Sequence, residues 1–257
     1  MREPQQPKTV FVTGASAGFG TEIVRRFVEG GARVIAAARR LDRLEALAAE
    51  LGRDSVLPLS VDLADRPALE RAIGALPKPF ADVDLLVNNA GLALGFGAAQ
   101  GSKLDDWDQM IATNCNGLVA ATRLILPGMI ARKKGHIINL GSVAGTYPYP
   151  GGNVYGATKA FVRQFSLNLR SDLQGTGVRV TCIEPGMCGG TEFSEVRFGG
   201  DKAKAEAIYA GMQPLTAGAI AEAVAWAATQ PSHVNINLIE LMPVAQSFAG
   251  FQVDRHT

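Results

Sequence analysis

The sequence is short of cysteine and has almost no charge imbalance, and both shortages exclude classes of protein. Its 257 residues include 3 cysteines, Cys115, Cys182 and Cys188, without a Cys-x-x-Cys pair. A disulfide framework is therefore not expected, whereas a reducing, cytoplasmic compartment is. Lys and Arg number 25 against 24 Asp and Glu, a formal net charge of +1. So nearly neutral a chain has no electrostatic footprint for nucleic acid or for an anionic membrane, and neither is an expected partner.

Long apolar runs and metal-ligand clusters are also missing. The most apolar stretch, residues 117–131, is broken by Arg123 and Pro127, so it predicts a buried helix and no membrane span. The polar segment Met1–Lys8 lacks the apolar core of a signal peptide and predicts a short flexible tail. The cysteines show no ligand spacing, so no metal site is expected.

What the sequence does have is a regular alternation of short apolar runs and helical patterns. Seven short apolar runs predict strands, at residues 9–12, 33–38, 56–61, 83–87, 136–140, 178–183 and 236–242. Several of them are rich in Val, Ile and Leu without polar alternation, as expected for strands covered on both faces. Helices are predicted at residues 18–29, 41–51, 65–76, 104–130, 155–174 and 216–229. The alternation predicts an α/β fold, a doubly wound parallel sheet of about seven strands with helices on both faces.

One region interrupts this alternation. Residues 186–212 are rich in glycine and have weak periodicity. A loop that long inside a compact domain is usually functional, so we predict a substrate lid here. No shift in composition divides the rest of the chain, and residues 1–257 are expected to form one domain.

A glycine-rich loop follows the first predicted strand and opens the first helix. Gly14 allows a tight turn, while Gly18 and Gly20 leave the backbone bare, so a pyrophosphate can approach the helix N-terminus. A glycine-rich turn without a ligand is the alternative, and the position after the first strand favours the dinucleotide. The residues predicted to contact the dinucleotide here are Gly14, Ser16, Ala17, Gly18, Phe19 and Gly20.

The end of the second strand indicates which dinucleotide binds. A protein that prefers NAD usually places an acid here, but this chain has Arg39 and Arg40, and its first acid is Asp42. A guanidinium pairs well with a 2′-phosphate, so NADP(H) is the predicted cofactor, with a solvated basic helix start as the alternative. Asp62-Leu63 and Asn89 follow the third and fourth strands, at the sheet edge where ligands bind.

Four polar residues form a candidate catalytic set. Tyr155 and Lys159 are four residues apart and share one face of a helix. A nearby ammonium would lower the phenol pKa from its ordinary value near ~10 and make Tyr155 a usable acid and base. Ser142 is placed to hold a substrate oxygen. Asn114 lies inside a helical pattern, where Asn is a poor helix former, and its amide would disturb the helix and hold a water.

Each of these residues also has a structural explanation. Tyr155 would serve as a helix-start aromatic, Lys159 as a surface lysine and Asn114 as part of a kink. The combination, at this spacing and downstream of a dinucleotide loop, favours catalysis.

Together these residues resemble the short-chain dehydrogenase/reductase family. The matching motifs are Thr13-Gly14-x-x-x-Gly18-x-Gly20, Asn88-Asn89-Ala90-Gly91, Asn114, Ser142, Tyr155-x-x-x-Lys159 and Pro185-Gly186. Residues 151–166, 190–198 and 242–247 look similar to bacterial NADP-dependent 3-hydroxy acid dehydrogenases, a group with serine and L-allo-threonine dehydrogenases and malonic semialdehyde reductases. Sulfoacetaldehyde reductases look closely similar.

The resemblance implies a Rossmann-like single domain, a homotetramer and an oxidoreductase that moves hydride between NADP(H) and a small hydroxy acid or its carbonyl partner. It assigns Tyr155 as the acid and base, and Lys159 to the nicotinamide ribose and to lowering the tyrosine pKa. It assigns Ser142 to orienting the substrate and Asn114 to holding a proton-relay water.

The resemblance also places the segment after the sixth strand along the nicotinamide. This adds Pro185, Gly186, Thr191 and Phe193 to the predicted cofactor site. Four residues, 187–190, separate Pro185-Gly186 from Thr191, one more than the family often has.

A small acidic substrate needs a cation near the reacting carbon. Arg197, in the predicted lid, is the candidate clamp for a carboxylate or sulfonate, with a surface arginine or a phosphate contact as alternatives. Sulfoacetaldehyde or a 3-oxoacyl thioester remains an alternative substrate on the same scaffold. A non-catalytic cofactor sensor is a third hypothesis, disfavoured because Asn114, Ser142, Tyr155 and Lys159 are all present.

Overall fold

A computed structural model describes residues 6–248. Seven parallel strands form one sheet in the order β3-β2-β1-β4-β5-β6-β7. The strands are β1 (Thr9–Thr13), β2 (Arg33–Ala38), β3 (Val56–Ser60), β4 (Leu85–Asn88), β5 (Gly135–Leu140), β6 (Val178–Pro185) and β7 (Leu238–Leu241). The strand order reverses between the neighbours β1 and β4, and open α/β sheets bind ligands at such a reversal. The predicted doubly wound parallel sheet is confirmed.

Helices cover both faces of the sheet. They are α1 (Gly18–Glu29), α2 (Leu41–Leu51), α3 (Arg66–Gly74), α4 (Lys78–Ala81), α5 (Leu104–Ile111), α6 (Leu118–Ala131), α7 (Asn153–Asp172), α8 (Glu192–Arg197), α9 (Lys202–Ala207) and α10 (Ala217–Ala228). Helices α1, α2 and α10 pack on one face, and α3, α4, α6 and α7 on the other. Strand β1 shows why two cores form: Val10 and Val12 belong to the first core and Phe11 to the second, all fully buried.

Polar caps fix several helix ends where the sequence indicates them. The side chains of Asp65 and Thr216 accept hydrogen bonds from the backbone N–H groups of Ala68 and Ala219, at the starts of α3 and α10. Gly52 follows the end of α2 with a φ of 97°, a conformation that favours glycine. These caps set where α2 ends and where α3 and α10 begin.

The long helix predicted over residues 104–130 is in fact three segments. Between α5 and α6 the residues Ala112–Gly117 form a π-helix, so the helical ladder is interrupted. The side-chain amide of Asn114 donates to the backbone oxygen of Leu92 and accepts from its N–H, both at 2.9 Å. The structure confirms that Asn114 sits at a disturbed helix, and the disturbance points its amide at the loop after β4.

The predicted structureless lid over residues 186–212 is partly helical. It contains α8 and α9, each of 6 residues and each capped by a side chain, Thr191 and Asp201 respectively. Helices of fewer than two turns are too short to show a periodic pattern in sequence, which explains the difference.

The predicted flexible tail extends less far than residue 8. Residues 1–5 of that tail, and residues 249–257, lie outside the described part of the chain. Pro7 is buried, and the backbone N–H of Lys8 donates to a carboxylate oxygen of Asp84 at 2.9 Å. Residues 7 and 8 are therefore held in place just before β1. Within residues 6–248, no helix has the length and apolar character needed to cross a membrane.

Candidate active site

A cavity of about 650 Å³ opens at the carboxyl ends of the strands. It is lined by all but two of the residues predicted to form the site; the exceptions are Gly20 and Asn114. Lining residues come from the loops after β1, β2, β3, β4, β5 and β6 and from α8. The fold therefore gathers into one cleft residues that are up to 234 positions apart, from Gly14 to Phe248.

The loop between β1 and α1 leaves helix donors free for an anion. Gly14 and Gly18 adopt φ values of 67° and 55°, which favour glycine. Ala17, at the N-cap of α1, makes no side-chain cap, so the first N–H groups of the helix stay available. Gly20 does not line the cavity, but it lets α1 approach the loop closely, since a Cβ there would lie 2.2 Å from the backbone oxygen of Gly14.

Asn89 fixes this loop from the neighbouring strand. Its Nδ2 donates to the backbone oxygens of Thr13 at 2.9 Å and Gly14 at 3.1 Å. The hydroxyl of Thr13 accepts in return from the backbone N–H of Asn89 and of Ala90, both at 3.0 Å. Asn89 also lines the cavity, but its Nδ2 hydrogen-bonds the loop between β1 and α1, so its role there is to fix that loop.

A cluster of arginines lies where the sequence predicts recognition of the 2′-phosphate. Arg39 and Arg40 both line the cavity, and Nε of Arg40 donates to Oγ of Ser16 at 3.2 Å. Arg40 also pairs with one carboxylate oxygen of Glu192 at 2.8 Å, and Arg43 pairs with the other at 2.6 Å. Hydrogen bonds from Arg43 and then Arg40 lower the pKa of Glu192. Sequence reasoning missed Glu192, although the segment that resembles the 3-hydroxy acid dehydrogenases contains it.

Tyr155 and Ser142 face each other at the inner end of the cavity, on α7 and after β5. Both are buried, and Ser142 also donates to the backbone oxygen of Pro185 at 3.4 Å. Burial raises the pKa of Tyr155 well above its ordinary value, and a hydrogen bond with Ser142 and the charge of Arg197 lower it in part. The predicted net lowering of the tyrosine pKa is therefore wrong, because desolvation outweighs the hydrogen bond with Ser142 and the charge of Arg197.

Lys159 lies beneath the tyrosine ring. Its Nζ is 5.9 Å from the ring centroid of Tyr155 and donates to the backbone oxygen of Leu140 at 2.8 Å. Burial lowers the pKa of Lys159 to about 8. The predicted surface alternative for Lys159 is thus excluded, since the side chain is buried at the cavity wall.

The Asn114 amide is largely used by protein groups. Besides its two hydrogen bonds to Leu92, Nδ2 donates to the hydroxyl of Thr158 at 3.0 Å. A Cβ added at Gly91 would lie 3.3 Å from both Oδ1 of Asn114 and Nζ of Lys159, so glycine keeps a narrow space between them. The side chain therefore positions the loop after β4, and its role in holding a water stays a prediction.

Arg197 projects from the C-terminal end of α8 into an aromatic corner of the cavity. Its guanidinium carbon lies 4.5 Å from the ring centroid of Phe96 and 5.5 Å from those of Tyr149 and Tyr155. Nε donates to the backbone oxygen of Gly95, and Nη2 donates to the hydroxyl of Tyr149 at 2.8 Å. Within residues 6–248 no carboxylate forms an ion pair with Arg197. The group is held beside Tyr155 with a positive charge available to a ligand.

Gln246 is a second residue that sequence reasoning did not assign to the site. Its Oε1 accepts from the backbone N–H of Met187 at 2.7 Å, and a Cβ on Gly186 would lie 2.3 Å from that oxygen. Gln246 therefore fixes the segment after β6, where Pro185, Gly186, Thr191 and Phe193 line the cavity. The Phe193 ring lies 5.7 Å from that of Tyr155.

These features fit a dinucleotide. The bare helix start after Gly14 suits a pyrophosphate, the arginines suit a phosphate at the far end, and the inner end holds a tyrosine and a lysine for chemistry. No group of three His, Cys, Asp or Glu side chains in residues 6–248 is arranged to bind a metal ion. Fold and site together define an α/β protein of the dinucleotide-binding type, with a buried tyrosine and a buried lysine in its cleft.

Comparison with known proteins identifies the family. Residues 8–199 match the model of the short chain dehydrogenase family, and the chain belongs to that family. It is 60% identical over 246 residues to the "NADP-dependent 3-hydroxy acid dehydrogenase YdfG" of Salmonella typhi, which covers 96% of this chain and 99% of that protein. It is 55% identical over 249 residues to the "Serine 3-dehydrogenase" of Agrobacterium fabrum, covering 97% and 99%.

Solved structures agree. A serine dehydrogenase described as a closed form complexed with NADP+ superposes with a TM-score of 0.95 at 57% identity, covering 96% of this chain and all of that one. The Escherichia coli serine dehydrogenase gives a TM-score of 0.83 at 52% identity, covering 93% and 100%. The resemblance inferred from the motifs is confirmed.

Proposed function

We propose that this protein is an NADP-dependent oxidoreductase that interconverts a small 3-hydroxy acid, of the serine, L-allo-threonine or 3-hydroxypropionate type, and its carbonyl form. The observation that carries the proposal is the placement of Tyr155, Ser142 and Arg197 around one end of a cavity whose other end holds Arg39 and Arg40. Support comes from relatives at 55–60% identity whose names give NADP dependence and hydroxy acid or serine oxidation.

The chain's own residues supply the proton chemistry. A bound nicotinamide would supply or accept the hydride. The Tyr155 hydroxyl gives its proton to the carbonyl oxygen in reduction and takes one from the alcohol in oxidation. Ser142 hydrogen-bonds the same oxygen and holds it at the phenol. Lys159 is buried beside this pair, where its ammonium would favour the charged form of the phenol.

Arg197 is the proposed clamp for the acidic group. Nε and Nη2 donate to protein oxygens, whereas Nη1 makes no hydrogen bond to residues 6–248 and keeps its donors for a ligand. A small 3-hydroxy acid has its carboxylate close to the reacting carbon, and the short separation between Arg197 and Tyr155 matches that shape. A guanidinium also pairs with a sulfonate, so reduction of sulfoacetaldehyde is the second candidate.

A substrate comparison tests the proposal. Oxidation of L-serine, L-allo-threonine and 3-hydroxypropionate would be followed with NADP+ and with NAD+, and reduction of malonic semialdehyde and sulfoacetaldehyde with NADPH. We expect the highest kcat/KM with NADP(H) and a carboxylate substrate. A preference for sulfoacetaldehyde would select the alternative, and turnover only with neutral aldehydes would contradict both.

The proposal includes a homotetrameric assembly and a cytoplasmic location. A homotetramer is supported by apolar side chains exposed on α5, α7 and α10, namely Leu104, Ile111, Phe161, Leu167 and Trp226. The three free cysteines suit a cytoplasmic setting. Residues 1–257 would act as one domain with residues 186–212 as the substrate lid. Light scattering after size-exclusion chromatography tests the tetramer, and a monomeric mass would contradict it.

A further inference from the structure

Helix α8 links the two ends of the cavity. Glu192 begins the helix and Arg197 ends it, with a rise of roughly 7.5 Å between them. Glu192 is held by arginines of the α2 region, whereas Arg197 is held by Gly95 and Tyr149 on the opposite wall. Thr191, just before the helix, lies over the phosphate loop, since a Cβ on Gly18 would come within 3.3 Å of its side chain. The helix thus closes over the cavity while anchored at both ends.

The anchor at Glu192 has two arginines with different surroundings. Arg40 lines the cavity and contacts Ser16 in the phosphate loop as well as Glu192. Arg43 is not among the cavity-lining residues, and it contacts Glu192 from outside. The Arg40–Glu192–Arg43 clasp therefore has one member that touches both the lid and the predicted 2′-phosphate site.

Arg40 can serve both partners at once. A guanidinium has five N–H donors, and the contacts to Ser16 and Glu192 use two of them. The remaining donors are available to a phosphate. Arg39 lines the same part of the cavity and adds a second cation there. Phosphate binding and the clasp are thus compatible, and no exchange of partners is required.

The clasp is weak without a ligand. The side chains of Arg40, Arg43 and Glu192 are each about 40% exposed, and ion pairs in such positions contribute little because water screens them and ordering two long side chains is unfavourable. A 2′-phosphate would hold Arg40 in the orientation that the clasp needs, so the entropic cost of closing the lid would fall.

We infer that Glu192 is a positioning residue that couples recognition of the 2′-phosphate to closure of α8 over the active site. The inference rests on the proposed use of NADP(H) and adds to it a route by which the adenosine end of the cofactor orders the helix that carries Arg197. NADH lacks the 2′-phosphate, so it would bind without this added closure.

Binding of reduced cofactors tests the coupling. The variants are Glu192→Gln and Arg43→Ala, with Glu195→Gln as the matched control on the same helix. Among residues 6–248, the one cation that approaches the Glu195 carboxylate is Lys202, at 3.9 Å. Fluorescence titration should show NADPH affinity lowered roughly two- to fivefold in both clasp variants, NADH affinity nearly unchanged and the control like wild type. The double variant should be no weaker than either single one. Equal losses for NADH and NADPH would indicate mere disruption of α8, and tighter NADPH binding by Glu192→Gln would show that Glu192 competes with the phosphate; either result overturns the inference.

Hydrogen exchange gives a readout that needs no turnover. We would compare amide exchange of residues 191–198 with 2′,5′-ADP and with 5′-AMP, which lacks the 2′-phosphate. The inference requires that, in the wild type, 2′,5′-ADP protect this segment more than 5′-AMP does. In Glu192→Gln, the two nucleotides should protect it to the same extent. If 2′,5′-ADP protected the phosphate loop but left residues 191–198 unchanged, the coupling alone would fail. If it did not bind, the proposed use of NADP would fail as well.

Discussion

Nζ of Lys159 donates a hydrogen bond to the backbone oxygen of Leu140, the last residue of β5, at 2.8 Å. The lysine is thereby tied to the strand that precedes Ser142, while Tyr155 lies one turn away on the same helix. One ammonium therefore fixes the geometry between the two groups proposed to handle the substrate oxygen. Burial lowers the pKa of Lys159, and an anionic neighbour would stabilise its charged form.

Replacing Tyr155 by Phe should abolish most turnover. The hydroxyl is the proposed proton donor and acceptor, and general acid–base groups contribute roughly 10²–10⁴-fold to rate. Stopped-flow assays with the best substrate would measure kcat, and fluorescence titration would confirm that NADPH still binds. Ser142→Ala is the companion variant and should lower kcat without changing NADPH affinity. Retention of full kcat in Tyr155→Phe would contradict the acid–base assignment.

The sequence predicts the scaffold well because the relevant signals are local. Runs such as residues 33–38 match the observed strand β2, and the residues of α1 and α2 are predicted at their observed bounds. The phosphate loop is recognisable because its glycines stand between a strand and a helix, where a tight turn and a bare backbone are needed. The predicted strand at 236–242 is shorter in the structure, where β7 covers Leu238–Leu241.

Features that depend on contacts between residues distant in sequence could not be predicted. The π-helix at Ala112–Gly117 accompanies hydrogen bonds between Asn114 and Leu92, and burial in the folded protein raises the pKa of Tyr155. Glu192 reads as an ordinary acid in a helix's first turn until the fold brings Arg40 and Arg43 to it, 152 and 149 residues away in sequence. Such partners cannot be inferred from spacing along the chain.

The stability of the cofactor-free protein should rise with pH through the titration of Lys159. The folded-state pKa of about 8 lies below the ordinary value of 10.5, so the unfolded chain binds this proton more tightly. The cost to stability is full below pH about 8 and disappears as the pH approaches about 10.5, with a ceiling of about 3 kcal/mol. Urea unfolding of wild type and Lys159→Met at pH 7, 8, 9 and 10 measures it. The difference in unfolding free energy, variant minus wild type, should fall as the pH rises, and a constant difference would contradict a perturbed Lys159.

Arg197→Ala should weaken acidic substrates selectively. Loss of charge-assisted hydrogen bonds costs about 1.5–3 kcal/mol, so we expect KM for a carboxylate substrate to rise roughly 10–100-fold while a neutral aldehyde of similar size changes little. Arg197→Lys keeps the charge but loses the fixed orientation given by Gly95 and Tyr149, and it should recover only part of the affinity. Steady-state kinetics with paired substrates decides this. An equal change for both substrates would assign Arg197 to the lid alone.

Gly20→Ala should damage the phosphate loop although Gly20 does not line the cavity. The added Cβ would lie 2.2 Å from the backbone oxygen of Gly14 and 2.7 Å from Nδ2 of Asn89, so the loop and its anchor must both move. Overpacking of this kind costs about 1–3 kcal/mol, and the displaced loop should bind NADPH at least tenfold more weakly. Gly74→Ala is the matched control, because Gly74 ends α3 with no atom within 4 Å of the added Cβ, and alanine favours the helix. Thermal unfolding and NADPH titration should therefore show that Gly20→Ala has both a lower melting temperature and a lower NADPH affinity than Gly74→Ala. If Gly20→Ala bound NADPH like Gly74→Ala, the close approach of α1 to the loop would not be what shapes the dinucleotide site.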